Sequence, residues 1–230
     1  MLKKLVLFDI DGTLLKVSSI NRRILMDALL EIYGTEGSAA THDFSGRMDS
    51  TIIYDVLDGT GLTRHAIEGK FDAAKQSYIR RFRKETKTSD ITLLVGVREL
   101  LNDLASRSNI LLGLLTGNFE ASGRHKLQLP GIEHYFSFGA FADDGFHRND
   151  LPSVAVERAY RITGKRFIGQ DIVIVGDTVH DITCARVLDG RSIAVATGNF
   201  SMDELQKHKP SDLFENLSRT ENVIHSILKP

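Results

Sequence analysis

Leu5-Val6-Leu7-Phe8-Asp9-Ile10-Asp11-Gly12-Thr13 is the stretch on which the reading of this chain turns. Four apolar residues run into two carboxylates two positions apart, followed by a glycine. An apolar run without polar alternation is the pattern of a parallel strand covered on both faces. Open α/β sheets bind ligands beyond the carboxyl ends of their strands, so the two acids stand where a site is built. Residues two apart on an extended chain point to the same side, which brings Asp9 and Asp11 together if the extended geometry persists past Phe8. Gly12 permits a sharp turn or a close backbone approach. Paired carboxylates at a strand end are costly unless a cation or a proton compensates, which argues against a plain surface turn. A calcium loop counted from Asp9 fails, because its glycine position holds Leu14 and its terminal glutamate position holds Ile20.

Outward from this strand, four more apolar runs, at 110–115, 136–141, 172–175 and 192–196, have the same buried-strand character. Helical stripes separate them: Val97, Leu100, Leu101 and Leu104; Ala155, Val156, Ala159 and Ile162; Ile182, Ala185 and Leu188; and a closing one at Val223, Ile224, Ile227 and Leu228. Strand–helix alternation predicts a doubly wound parallel α/β sheet. Residues 17–90 break the rhythm with helical stripes starting near Ile20, Ile52 and Ile67 and no strand. The expected organisation is a core from 1–16 and 91–230, with a helical domain at 17–90 inserted after the first strand on linkers 16–19 and 85–90. The basic cluster Arg80, Arg81, Arg83 and Lys84 faces away from the apolar stripe of its own helix, so a solvated face is expected.

Two further motifs sit at strand ends. Thr116-Gly117-Asn118 offers a hydroxyl, a glycine and a short amide after the 110–115 run, a combination suited to an anion and equally common in structural turns. The same string recurs as Thr197-Gly198-Asn199, and location alone does not decide which copy is scaffold. Gly176-Asp177-Thr178-Val179-His180-Asp181 places two acids four apart at a helix start, beyond another strand. N-capping by Asp177 would explain one of them. Oxygen-rich clusters of this kind suit magnesium. Asp58-Gly59-Thr60 repeats the Asp-Gly-Thr string after a helical stripe and reads as a glycine helix stop.

Composition excludes several classes. The 230 residues are 42% hydrophobic and 26% charged, as in an ordinary globular protein. A formal net charge of −1 gives no field for nucleic acid or an anionic membrane. No apolar run approaches the ~20 residues of a membrane span. A single cysteine, Cys184, rules out an internal disulfide and fits a reducing compartment, so the expected location is cytoplasmic. Its flanking residues make a buried small hydrophobe the ordinary reading. Oligomeric state has no signal.

With these motifs in order, the chain resembles the haloacid dehalogenase superfamily, in its phosphatase branch with a helical cap after the first strand, nearest to phosphoglycolate-phosphatase-like members. The resemblance rests on Asp9-x-Asp11-Gly12-Thr13, Thr116-Gly117-Asn118 and Gly176-Asp177-Thr178-x-x-Asp181. It implies a phosphatase acting on a small phosphorylated metabolite through an aspartyl-phosphate on Asp9, with Asp11 as acid and base. It implies magnesium held by Asp9, Asp177 and the backbone carbonyl of Asp11, with Asp181 in support. Thr116, Gly117 and Asn118 would hold the phosphate, and Arg47, in Gly46-Arg47-x-Asp49, falls where such caps contact substrate. Relatives often carry an acid where this chain has Lys16. They also supply a lysine between the second and third motifs, where this chain reads His147-Arg148-Asn149-Asp150-Leu151-Pro152. Arg148 is the expected counterpart, over Lys126, expected to be a solvated helix lysine, and Lys165. A phosphosugar mutase and a catalytically silent binding module on the same fold are the alternatives.

Overall fold

The computed structural model describes residues 2–229. Six strands form one parallel sheet in the order β5-β4-β1-β6-β7-β8, built from β1 (Lys4–Phe8), β4 (Ile110–Leu115), β5 (Gly139–Ala140), β6 (Ile172–Gly176), β7 (Arg191–Val195) and β8 (Asp212–Phe214). β1 is central, with Leu5–Phe8 in register against Leu111–Leu114 on one side and Ile172–Val175 on the other. All five of its residues are buried. Leu5 and Leu7 join the core under α6 (Leu151–Thr163) and α7 (Val179–Val187), whereas Val6 and Phe8 join the one under α4 (Val97–Ser106) and α9 (Thr220–Leu228). Burial on both faces is why this strand carries no polar alternation.

From β1 the chain builds outward to β4 and β5, then returns to lay β6, β7 and β8 on the opposite side. The order therefore reverses between β1 and β6, and the carboxyl ends of those two strands frame the crevice where such sheets bind ligands.

The 136–141 run is shorter as a strand than its composition suggests. Glu133–Tyr135 is a 3-10 turn and only Gly139–Ala140 pairs with β4. Phe136 and Phe138 serve the core instead: Phe136 stacks edge-on to Phe8 with ring centroids 6.0 Å apart.

A separate two-stranded antiparallel ribbon pairs β2 (Leu15–Val17) with β3 (Ile91–Leu93), with Lys16 opposite Thr92. Between them lie α1 (Ile20–Tyr33), α2 (Asp49–Leu57) and α3 (Arg64–Glu85). Ile24, Ala28 and Leu29 of α1 pack in one cluster with Ile67, Tyr78 and Phe82 of α3. On the outer side of α3, Arg80 and Arg81 pair with Glu31. α8 (Met202–Lys207) covers the β7–β8 edge through Leu205. Among the described residues no helix is long and apolar enough to cross a membrane.

Candidate active site

The acids meet at the reversal point. Asp9 follows β1, Asp177 follows β6, and Asp181 lies in the first turn of α7. One carboxylate oxygen of each falls within 4.8 Å of the others, and all three residues are buried. Asp181 is fixed by the local helix start. Its Oδ2 accepts from the Thr178 amide at 3.0 Å and the Thr178 hydroxyl at 2.7 Å, a capping box, so Thr178 and not Asp177 is the N-cap of α7. Asp177 is thereby released from capping and accepts from Thr13 Oγ1 at 2.9 Å.

Arg148 supplies the cation. Its Nη2 donates to Asp9 Oδ1 at 2.9 Å and to Asp181 Oδ1 at 2.6 Å, and Nη1 donates to the Gly46 carbonyl at 3.2 Å. Burial alone would lower the pKa of the guanidinium, but Asp181 and Asp9 more than offset it and hold the group charged. Burial pushes the Asp9 carboxyl up from its usual range, opposed by Arg148 and reinforced by the charges of Asp181 and Asp11. Asp177 is pushed well up, first by burial and then by Asp9 and Asp181. Among the described residues it pairs with no cation, and the cluster sets three acids against the single charge of Arg148.

Asp11 does not join that cluster. The extended geometry ends at Phe8, and the Thr13, Leu14 and Leu15 amides all turn back to the Ile10 carbonyl. Gly12 has φ +83°, and a Cβ there would overlap Asp177. The Asp11 carboxylate instead accepts from Lys126 Nζ at 2.8 and 2.9 Å and from Asn118 Nδ2 at 2.7 Å. This corrects the expectation of a solvated Lys126: its side chain is 1% exposed, and its ammonium lies 5.7 Å from the centroid of the Phe82 ring. α5 (Glu120–Gln128) turns that lysine inward under α3, which its spacing along the helix did not reveal. Two cations thus serve two acids, Arg148 for Asp9 and Lys126 for Asp11. Lys165 belongs to neither. It lies at the other end of the sheet, donating to the Leu2 carbonyl and to Asp171.

Thr116, Gly117 and Asn118 form the turn after β4, and all three line the same cleft of about 390 Å³. Arg47 also lines it, with its guanidinium paired to Asp55 at 2.9 Å. The second Thr-Gly-Asn string is at the site as well. Thr197 Oγ1 donates to the Gly12 carbonyl at 2.5 Å, and Gly198 lies so close to Asp177 that a Cβ would overlap Oδ2. Neither copy is remote scaffold. Cys184 is buried beneath Arg148, where burial raises its thiol to about 12 and leaves it inert as a nucleophile.

Residues 6–195 match the family model described as haloacid dehalogenase-like hydrolase. The chain belongs to that family. A protein of Dickeya dadantii, named "Probable phosphatase IndB", is 25% identical over 99% of this chain and 96% of its own length. Among solved structures, a predicted phosphatase from Clostridium acetobutylicum aligns over 98% of this chain and all of its own, with a TM-score of 0.72 and 18% identity. A β-phosphoglucomutase from Clostridium difficile aligns over 99% and 97%, with a TM-score of 0.67 and 16% identity. At these identities the structural matches establish a shared fold alone.

Proposed function

We propose that this hydrolase removes phosphate from small phosphate monoesters by nucleophilic attack of Asp9, with magnesium as its metal. The buried Asp9–Asp177–Asp181 cluster at the strand-order reversal, with Arg148 against Asp9, is the observation that carries the reading.

The donor set fits a divalent cation. Three buried carboxylates face one point, a single guanidinium bonds to two of them but offsets only one charge, and Asp177 is left without a cationic partner among the described residues. Oxygen-only ligands suit magnesium. Asp9, Asp177 and the Asp11 backbone carbonyl would hold it, with Asp181 behind them. When bound, the metal offsets the negative charge of the phosphate group.

The chain's own residues account for the remaining chemistry. Arg148 fixes the Asp9 carboxylate through Oδ1, leaving Oδ2 as the attacking oxygen. Attack forms an aspartyl-phosphate and expels the alkoxide, splitting one hard displacement into two. Thr116 Oγ1 and the turn amides hold phosphate oxygens. Asp11 handles protons, giving one to the departing oxygen and taking one from water in the second step. Its side chain is 41% exposed, against 5% for Asp9 and 2% for Asp181, so it is the acid that reaches both the cleft and solvent. Lys126 and Asn118 hold it in one orientation. The α1–α3 insertion acts as a cap over the cleft, excluding water from the first step.

The test is release of inorganic phosphate from p-nitrophenyl phosphate and from a panel of phosphorylated metabolites, with magnesium, by wild type and Asp9→Asn. The amide preserves shape and removes the nucleophile, so turnover should vanish with the fold intact. Turnover retained by pure Asp9→Asn would overturn the mechanism. Accumulation of a sugar bisphosphate without net phosphate release would mark a mutase.

A further inference from the structure

Residues 45–49 leave the helical insertion and press on the strand ends at several points. Asn199 Nδ2 donates to Ser45 Oγ at 2.6 Å, and Arg148 Nη1 reaches the Gly46 carbonyl. The Arg47 carbonyl lies against Gly117 so closely that a Cβ there would overlap it. Asp49 alone uses both backbone and side chain on one turn. Its amide donates to the Gly117 carbonyl at 2.7 Å, and its Oδ2 accepts from the Phe119 amide at 2.8 Å.

Those two bonds bracket residues 117–119, directly after Thr116. The turn also opens α5, whose N-cap is Phe119, a residue with no side-chain oxygen to satisfy the helix's free amides. Partners from elsewhere fill that need. Asp49 takes the Phe119 amide, and Asp143 Oδ2 takes the Glu120 amide at 2.7 Å, while Asp143 Oδ1 pairs with Lys75 of α3. The start of α5 is therefore satisfied from the insertion, directly by Asp49 and at one remove by Lys75. The arrangement is held at a cost: burial pushes the Asp49 carboxyl up to about 6, against the opposing pull of Lys126 and the Phe119 amide.

We propose that Asp49 is a positioning residue that couples seating of the inserted helices to the shape of the Thr116–Phe119 turn, so that the phosphate site is complete only when the helices are docked. The proposal rests on the reading of that turn as phosphate-binding. It gives Asp49 no contact with the reacting atoms. Its effect passes through the turn's backbone.

Equilibrium binding of inorganic phosphate in the presence of magnesium, by calorimetry, tests the coupling in wild type, Asp49→Asn and Asp49→Ala. Asparagine keeps an oxygen for the Phe119 amide, so its affinity should stay within about threefold of wild type, whereas alanine should weaken binding by about tenfold, the scale of one charge-assisted hydrogen bond. Hydrogen exchange of the peptide spanning 116–120 should be faster in Asp49→Ala and unchanged in Asp49→Asn. A residue that only stabilises the fold would lower melting temperature without altering phosphate affinity of the folded protein. Wild-type phosphate affinity in Asp49→Ala, or an equal loss in both variants, overturns the proposal. If wild type itself binds no phosphate, the phosphatase reading falls, and the exchange measurement alone decides the coupling: equal protection in wild type and Asp49→Ala refutes it.

Discussion

Replacing Arg148 by alanine separates the electrostatic account of this site from its alternatives. The guanidinium side chain is 7% exposed and its Nη2 alone bridges Asp9 and Asp181, which are 5% and 2% exposed. Solvent therefore cannot replace it, and the pair belongs to the buried class, where removing one partner costs about 3–5 kcal/mol of stability. The same loss acts on the reaction. Asp9 would lose the group that orients it, and the transferring phosphoryl group would lose a fixed positive charge. Losing one preorganised donor of this kind lowers turnover by roughly 10²–10³. Lysine at 148 should recover part of this, because a point charge reaches one carboxylate well and lacks the planar fork. The assays are kcat/KM on p-nitrophenyl phosphate at saturating magnesium, and urea unfolding in chelator. Arg148→Ala should be most destabilised in chelator at alkaline pH, where neither a divalent cation nor a proton offsets the three acids. If it keeps kcat/KM within about threefold of wild type while Lys126→Met loses activity, the cation that serves Asp9 is not Arg148.

Three other perturbations address the remaining parts. Lys126→Met should lower kcat by roughly tenfold or more, since acid–base groups contribute on the order of 10²–10⁴ and Lys126 orients Asp11; a change confined to KM would contradict this. Gly198→Ala forces Asp177 to shift, so the magnesium concentration for half-maximal activity should rise by about 10- to 100-fold; an unchanged magnesium titration would remove Asp177 from metal binding. Chelation should abolish activity and magnesium restore it, with a pH-dependent stability effect. The folded-state pKa of Asp9 and Asp177 is raised, so their contribution to metal-free stability is full below the unfolded carboxylate range and is lost as pH rises through the folded values. A bound divalent cation replaces the proton, so the melting-temperature gain from magnesium should be larger at pH 8 than at pH 5.5. An equal gain at both values would refute a metal bound by these acids.

The central strands were legible because β1 and β6 are buried on both faces and leave unbroken apolar runs that stop at their acids. β8, β2 and β3 were not, since three residues each, half open to solvent, carry no period to detect. At the site, Asp9 and Asp177 sit at strand ends, where the argument from topology applies, and Arg148 opens a short 3-10 turn just before α6. Lys126 and Asp49 come from helices, and their importance depends on how α5 and the insertion pack, which no spacing within either helix encodes. Gly198 and Thr13 stood in quoted motifs, but their bearing on Asp177 was hidden for another reason. Each acts by shape or a single hydroxyl on Asp177, a residue more than twenty or a hundred and sixty positions away respectively.

The β2–β3 ribbon has a consequence for how this chain can vary. Because the outgoing and returning strands are fastened to one another, residues 18–90 leave the sheet and come back at one point. Apart from the contacts of residues 45–49 with the strand ends, the length of what lies between is limited chiefly by the entropy of closing a loop, and each doubling adds only about 0.6 kcal/mol. A larger or smaller helical unit grafted at the same two strands, with residues 45–49 retained, would leave the six-strand order and the Asp9–Asp177–Asp181 cluster in register. The ribbon thus acts as a socket, which lets the inserted unit vary in size over evolutionary time as long as the segment that meets the strand ends is kept.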